Sequence, residues 1–113
     1  MKNLLYRELP GQPYATKVMK LIPKYSVSMH FHGEKCETFI LIDGELIVEL
    51  MNPKGDKSII KLSEPFSSIT LKPLTPHTFY TPDDQKKPTI FIESSTRDRL
   101  DDSYRFTKSG PRK

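Results

Sequence analysis

The sequence predicts an all-β domain, a sandwich or small barrel, on three observations. Ten prolines punctuate 113 residues, which leaves little room for long helices. Between them lie short runs in which apolar and polar residues alternate with a period of two. Turn chemistry separates those runs: Asp43-Gly44 tolerates positive φ, and "MNPKGDKS" gathers Asn, Pro and Gly.

The elements follow in order. "TKVMKLI" reads as the first strand, and "SVSMHFH" alternates small or polar residues with Val27, Met29 and Phe31. "ETFILI" and "ELIVELM" flank Asp43-Gly44, so a tight hairpin is expected there. In the second of these, Leu46, Val48 and Leu50 share the face expected to meet the core, and Glu45, Ile47 and Glu49 share the other. In the first, Ile40 and Ile42 oppose Phe39 and Leu41, so both faces are apolar. Such a strand is covered by another layer or lies at a subunit contact, and a homodimer is expected. "SIIKL", "SSITLKPL" and "PHTFYT" follow as strands, "TPDDQKKP" as a polar loop and "TIFIESS" as the last core strand. The length suits one domain, residues 1–113, with a barrel core at about 15–95 and a polar extension, 96–113, that wraps the domain or frays.

Composition excludes several classes. Cys36 is the only cysteine, so neither an intrachain disulfide nor a thiolate zinc cluster is available, and a reducing, cytoplasmic setting is expected. No run approaches the roughly 20 apolar residues of a membrane helix, and "MKNLLYRELPGQ" lacks a secretory apolar segment, so no export and no membrane partner are expected. The net charge is +4, but the basic residues are scattered and no nucleic-acid motif accompanies them. A solvated basic surface is the reading, one that also suits an acidic small molecule such as a sugar phosphate.

The chemistry gathers in "SMHFHGEKCETFILIDGEL". His30 and His32 are two apart, which on a strand places both on one face, about 6.6–6.8 Å apart along the chain. Two imidazoles so placed can lean onto one ion at about 2.0–2.1 Å. Glu37 lies an odd number of residues from both, so its convergence requires a bend or bulge, and Gly33 sits where one is needed. If the strand resumes after Glu34, Lys35 shares the face of Glu37, and Cys36 faces away. In "KPLTPHTFY", Pro73 and Pro76 stiffen the approach to His77, which a neighbouring antiparallel strand could present to the same ion.

"HFHGEKCETFILIDG" resembles the first motif of the cupins: His-x-His, four residues, Glu, six residues, Gly, met by His30, His32, Glu37 and Gly44. "PLTPH" looks like a shortened second motif with His77 as the fourth ligand. The chain departs from the pattern at Lys24, where a glycine often stands six positions before the first histidine, and at Leu74 and Thr81, where Gly and Asn are frequent. Those positions mainly serve turns. The resemblance implies a double-stranded β-helix, the cupin jelly-roll barrel, often dimeric, with a metal inside one mouth. More narrowly, "HFHGEKCE" followed by "IESSTRDRLDDSYR" looks like small cupins near sugar isomerases, including the D-lyxose isomerase group, and like cupin modules of polysaccharide biosynthesis.

Three imidazole nitrogens and one carboxylate oxygen, with positions left open, suit Mn, Fe(II), Co, Ni or Zn. The histidines must be neutral to bind, so loading is expected to weaken below about pH 6.5. Lys35 and Glu93 are the catalytic candidates; "TIFIESS" does not fix which way Glu93 points, and a strand-end ion pair competes. Tyr80, Arg97, Tyr104 and Arg105 are candidates to ring the mouth and hold a polar ligand, with ordinary packing competing at Tyr80. The expected function is metal-assisted aldose–ketose isomerisation of a sugar or sugar phosphate. The alternatives are a metal-cupin module that binds a sugar or carboxylate without turnover, and an Fe(II)-dependent oxygenase.

Overall fold

The computed structural model describes residues 14–96, 103–105 and 110–111, and among them every regular element is a strand. In chain order these are β1 (Tyr14–Leu21), β2 (Tyr25–Ser26), β3 (His30–His32), β4 (Glu37–Asp43), β5 (Leu46–Met51), β6 (Lys57–Leu62), β7 (Ser68–Leu71), β8 (His77–Tyr80), β9 (Thr89–Thr96), β10 (Ser103–Arg105) and β11 (Gly110–Pro111). One sheet has the order β1-β9-β4-β7, a second the order β10-β3-β8-β5-β6, and β11 pairs with β2. Every pairing is antiparallel. The arrangement is consistent with a jelly roll, although the two large sheets do not close into one hydrogen-bonded barrel among the described residues.

Period-two alternation decides what lies between the sheets. The first sheet turns Thr89, Phe91, Glu93 and Ser95 of β9 inward, beside Glu37, Phe39 and Leu41 of β4. The second contributes His30 and His32 from β3, His77 and Phe79 from β8, and Leu46 and Val48 from β5. Phe39, Phe79 and Phe91 meet edge to face at centroid separations of 5.1, 5.4 and 5.5 Å. Each such ring contributes roughly 1.5–3 kcal/mol by leaving water. The apolar cluster runs from these rings towards Leu21, Leu46 and Leu62, and the polar groups gather at the other end, around Glu37 and His77.

The hairpin expectation is corrected. Asp43-Gly44 does not close a hairpin: β4 pairs with β7 and β9, whereas β5 pairs with β6 and β8, so the chain passes there from one sheet to the other. The register between β4 and β9 slips at Leu41/Asp43, Gly44 takes φ +84°, and the groups a partner strand would have bonded go elsewhere. Glu45 N donates to Gln85 Oε1 at 2.9 Å, and Thr89 Oγ1 donates to the Glu45 carbonyl at 2.6 Å. The true hairpin is β5–β6, across residues 52–56, where the Asn52 side chain accepts from Lys54 N and Asp56 N. Of the two courses expected for the polar extension, wrapping is the one its described residues follow: β10 adds to the sheet beside β3 and β11 pairs with β2. "SVSMHFH" is interrupted, with residues 27–29 between β2 and β3, and the strand in "SSITLKPL" ends at Leu71.

Candidate metal centre

The odd spacing of Glu37 is resolved by the change of sheet. His30 and His32 face inward from β3, the chain bends at 33–34, and β4 enters the opposite sheet with Glu37 facing back at them. His77 arrives from β8, directly across the ladder from His30. The result is a cluster in which one ligand-type atom from each of His30, His32, Glu37 and His77 lies within 4.8 Å of the others. The rings of His30 and His77 are 4.5 Å apart and those of His30 and His32 5.1 Å. Phe39 meets the His77 ring edge to face, with ring centroids 6.2 Å apart.

Backbone carbonyls set the tautomers. His30 Nδ1 lies 2.7 Å from the Ser28 carbonyl and His77 Nδ1 2.9 Å from the Thr75 carbonyl. A carbonyl only accepts, so both Nδ1 atoms carry the proton, and in the neutral rings both Nε2 atoms present lone pairs. His77 Nε2 is 2.9 Å from Glu37 Oε1, yet neither atom has a hydrogen-bond partner. His32 Nε2 is 3.5 Å from the same oxygen. Buried acceptors that converge without a proton between them fit a cation, and this donor set fits a divalent metal.

Electrostatics agree with that reading. Burial, assisted by the neighbouring His77 and His32, pushes His30 down from its ordinary 6.5 to about 4, which keeps its imidazole neutral. Burial acts to raise the Glu37 carboxyl, but contacts with His32 and His77 and the charge of Lys35 outweigh it and hold the group well below the usual carboxylate range.

Beside the four residues stands an ion pair that is not part of the cluster. Lys35 is 5% exposed, with Nζ 3.2 Å from Glu93 Oε2 and 3.5 Å from Glu37 Oε2. Lys35 thus shares the inward side of Glu37, while Cys36 lies between them in sequence with its N–H on Thr96 Oγ1. Glu93 points inward, the orientation its own strand pattern left open. Burial and the neighbouring Glu37 push its carboxyl up, against the pull of Lys35 and Lys17.

Tyr80 is a correction. His77 and Phe79 face inward, so Tyr80, three residues on from His77, faces out, and its hydroxyl donates to Glu49 on the outer face of the sheet. Arg97 lies outside the described residues. Tyr104 and Arg105 sit on β10 opposite Phe31 and His30, and their side chains lie outside the described residues. Lys17 and Ser95 were missed. Register places Lys17 opposite Glu93, and Ser95 opposite Glu37, on the inward stripe. The alternation of "TIFIESS" pairs Ser95 with Glu93, a signal that becomes useful once Glu93 is oriented.

No family model matches the chain, and no curated protein matches it. Solved structures do. Oxalate decarboxylase from Bacillus subtilis superposes with a TM-score of 0.72 at 18% identity, over 84% of this chain and 24% of that one. L-ribose isomerase from Cellulomonas parahominis, with L-ribose, gives 0.69 at 18% identity, over 77% of this chain and 50% of that one. A structure described for the Mn(II) centres of the same decarboxylase gives 0.70 at 17% identity, over 85% and 25%. This chain therefore spans about a quarter of the decarboxylase and half of the isomerase. The likeness is one of fold.

Proposed function

Starting from the cupin-superfamily fold of this chain, we propose that it is a metal-dependent enzyme of aldose–ketose isomerisation, acting on a sugar or sugar phosphate. The observation that carries the reading is Glu93. It is a buried carboxylate turned towards the histidine cluster but not part of it, and Lys35 holds it at 3.2 Å. A binding module needs the cluster alone; proton transfer between carbons needs an independent base.

The Nε2 atoms of His30, His32 and His77 and Glu37 Oε1 would hold the ion. A divalent ion there supplies Lewis-acid polarisation of a bound carbonyl. Glu93 Oε2 would take the proton from the hydroxyl-bearing carbon beside that carbonyl and return it to the carbonyl carbon, while the proton of that neighbouring hydroxyl passes to the former carbonyl oxygen, so the new carbonyl forms and the base ends as it began. Its raised carboxyl brings it closer to the range in which a base both takes and releases a proton near neutral pH. The Lys35 ammonium stabilises the negative charge that develops on the substrate oxygen between these two transfers. The same Lys35 neutralises Glu37 and Glu93 when no substrate is present. L-ribose isomerase among the structural neighbours supports a sugar substrate, and the Mn(II) centres of oxalate decarboxylase support a metal of that kind.

The test is Glu93→Gln, which keeps shape and removes the base. Elemental analysis is expected to show unchanged metal content. A panel of aldopentoses, aldohexoses and their phosphates, followed by NMR in D2O, is expected to show isomerisation slowed by about 10²–10⁴-fold. Full turnover in the variant, or in metal-stripped wild type, rejects the mechanism.

A further inference from the structure

Ser95 carries a buried hydroxyl with no hydrogen-bond partner among the described residues, at 5% exposure. An unsatisfied buried hydroxyl costs about 1–3 kcal/mol, so its presence calls for a reason. The metal set accounts for the orphan atoms of Glu37 and His77. Ser95 belongs to no such set.

Its place is specific. Across β4 it faces Glu37, and across β1 it faces Ala15. Two residues back on the same inward stripe is Glu93, with Lys17 opposite. Residues two apart on a strand share one face at about 6.6–6.8 Å, so Ser95 and Glu93 form one wall beside the histidine cluster. Ala15 and Ser95 are the small members of that wall; further along, Met19, Phe39 and Phe91 fill the interior with large side chains.

We propose that Ser95, with Glu93 and Lys17, forms a ligand-contact wall that takes the hydroxyl groups of a neutral polyhydroxyl ligand whose reacting end sits at the histidine cluster. This rests on the isomerase reading and narrows its substrate class to unphosphorylated sugars, with polyols, which lack the carbonyl, as unreactive ligands of the same wall. A sugar hydroxyl both donates and accepts. It can give its proton to a carboxylate oxygen of Glu93, accept from Lys17, and exchange a hydrogen bond with Ser95 in either sense. A dicarboxylate such as oxalate only accepts, and it would bring two negative charges up to Glu37 and Glu93.

Calorimetry on Mn(II)-loaded protein tests this, with L-ribose, ribitol and oxalate as probes and Ser95→Ala beside Ser94→Ala, whose side chain is on the opposite face of β9. Ser95→Ala is expected to bind Mn(II) within about twofold of wild type and to weaken L-ribose and ribitol by about 5–10-fold, the worth of one hydrogen bond. Its metal-free melting temperature is expected to equal or exceed that of wild type, because an unsatisfied hydroxyl has been removed. Ser94→Ala is expected to bind like wild type. A lowered melting temperature in Ser95→Ala, unchanged ribitol affinity, or oxalate binding tighter than ribitol each overturns the wall alone. Wild type that takes Mn(II) but binds neither L-ribose nor ribitol overturns the isomerase reading as well.

Discussion

At the scale of single residues, the two departures from the cupin glycine pattern keep the glycine conformation without the glycine. Lys24 has φ +64° and Leu74 φ +67°. The turns are thus preserved although their side chains are unsuited to them. Leu74 N donates to the His32 carbonyl at 2.7 Å, so the strained turn is tied to the strand that carries a ligand. A left-handed backbone costs a non-glycine residue about 1–2 kcal/mol, and a glycine gives back about 0.5–1 kcal/mol through the freer unfolded chain. Leu74 is 67% exposed, so little packing is lost on truncation. Lys24→Gly and Leu74→Gly are each expected to raise stability by about 0.5–1 kcal/mol, read as a higher urea midpoint at unchanged slope. A fall in midpoint for Leu74→Gly would mean that its side chain holds the turn by contacts of its own. Thr81, the third departure, is fully buried just after β8.

At the scale of elements, the two positive-φ glycines separate a corner from a loop. A Cβ on Gly44 would stand 2.9 Å from Thr89 Oγ1 and 3.2 Å from Thr89 Cα, whereas one on Gly55 meets nothing within 4 Å. Both have φ near +85°, at +84° and +88°, so both substitutions bear the same backbone strain, about 1–2 kcal/mol. Gly44→Ala adds overpacking of about 1–3 kcal/mol against β9 and is expected to cost clearly more than Gly55→Ala in urea unfolding; equal costs would contradict a packed corner at residue 44. The same pair explains what was legible. An Asp-Gly dipeptide reports that φ turns positive; it does not report which strand the next element will join, so the corner read as a hairpin. The ligand spacing was legible because side-chain parity is local: His30 and His32 share a face wherever the strand goes. Tyr80 was misplaced at the mouth although the same parity carries the answer: its odd offset from His77 puts it on the outer face. Glu93 was not legible, because nothing in "TIFIESS" anchors its parity until β9 is registered against β4 as Phe39↔Glu93. The pairing of β10 with β3 was hidden because a polar tail gives no periodic signal.

At the scale of the whole molecule, the two sheets convert distant, unremarkable side chains into one coupled acid–base cluster, and that makes stability depend on pH in a definite direction. His30 is faced by His32 on its own strand, by His77 from β8, and by Glu37 from β4, with Lys35 and Glu93 behind Glu37. Its folded-state pKa is pushed down to about 4 from 6.5. Between those two values the unfolded chain binds a proton that the folded chain refuses, so stability of the metal-free protein is lost as pH falls from about 6.5 towards about 4 and is constant in this respect below. Glu37 acts in the same sense at lower pH: its carboxyl is held below the ordinary range, so its contribution is present above the usual carboxylate pKa and lost as acid protonates it in the folded state. The sequence-level expectation that histidine protonation starts to compete near pH 6.5 is thereby moved at His30, whose lone pair survives in the fold to about pH 4. The expected outcome is a metal-free urea midpoint that drops through this window in wild type, and a His30→Asn variant whose midpoint drops less, so that the two curves converge towards the acid end. Curves that stay parallel from pH 7 to pH 4 would mean that His30 is not shielded in the folded protein, and the neutral, inward-facing imidazole on which the cluster depends would be lost with it.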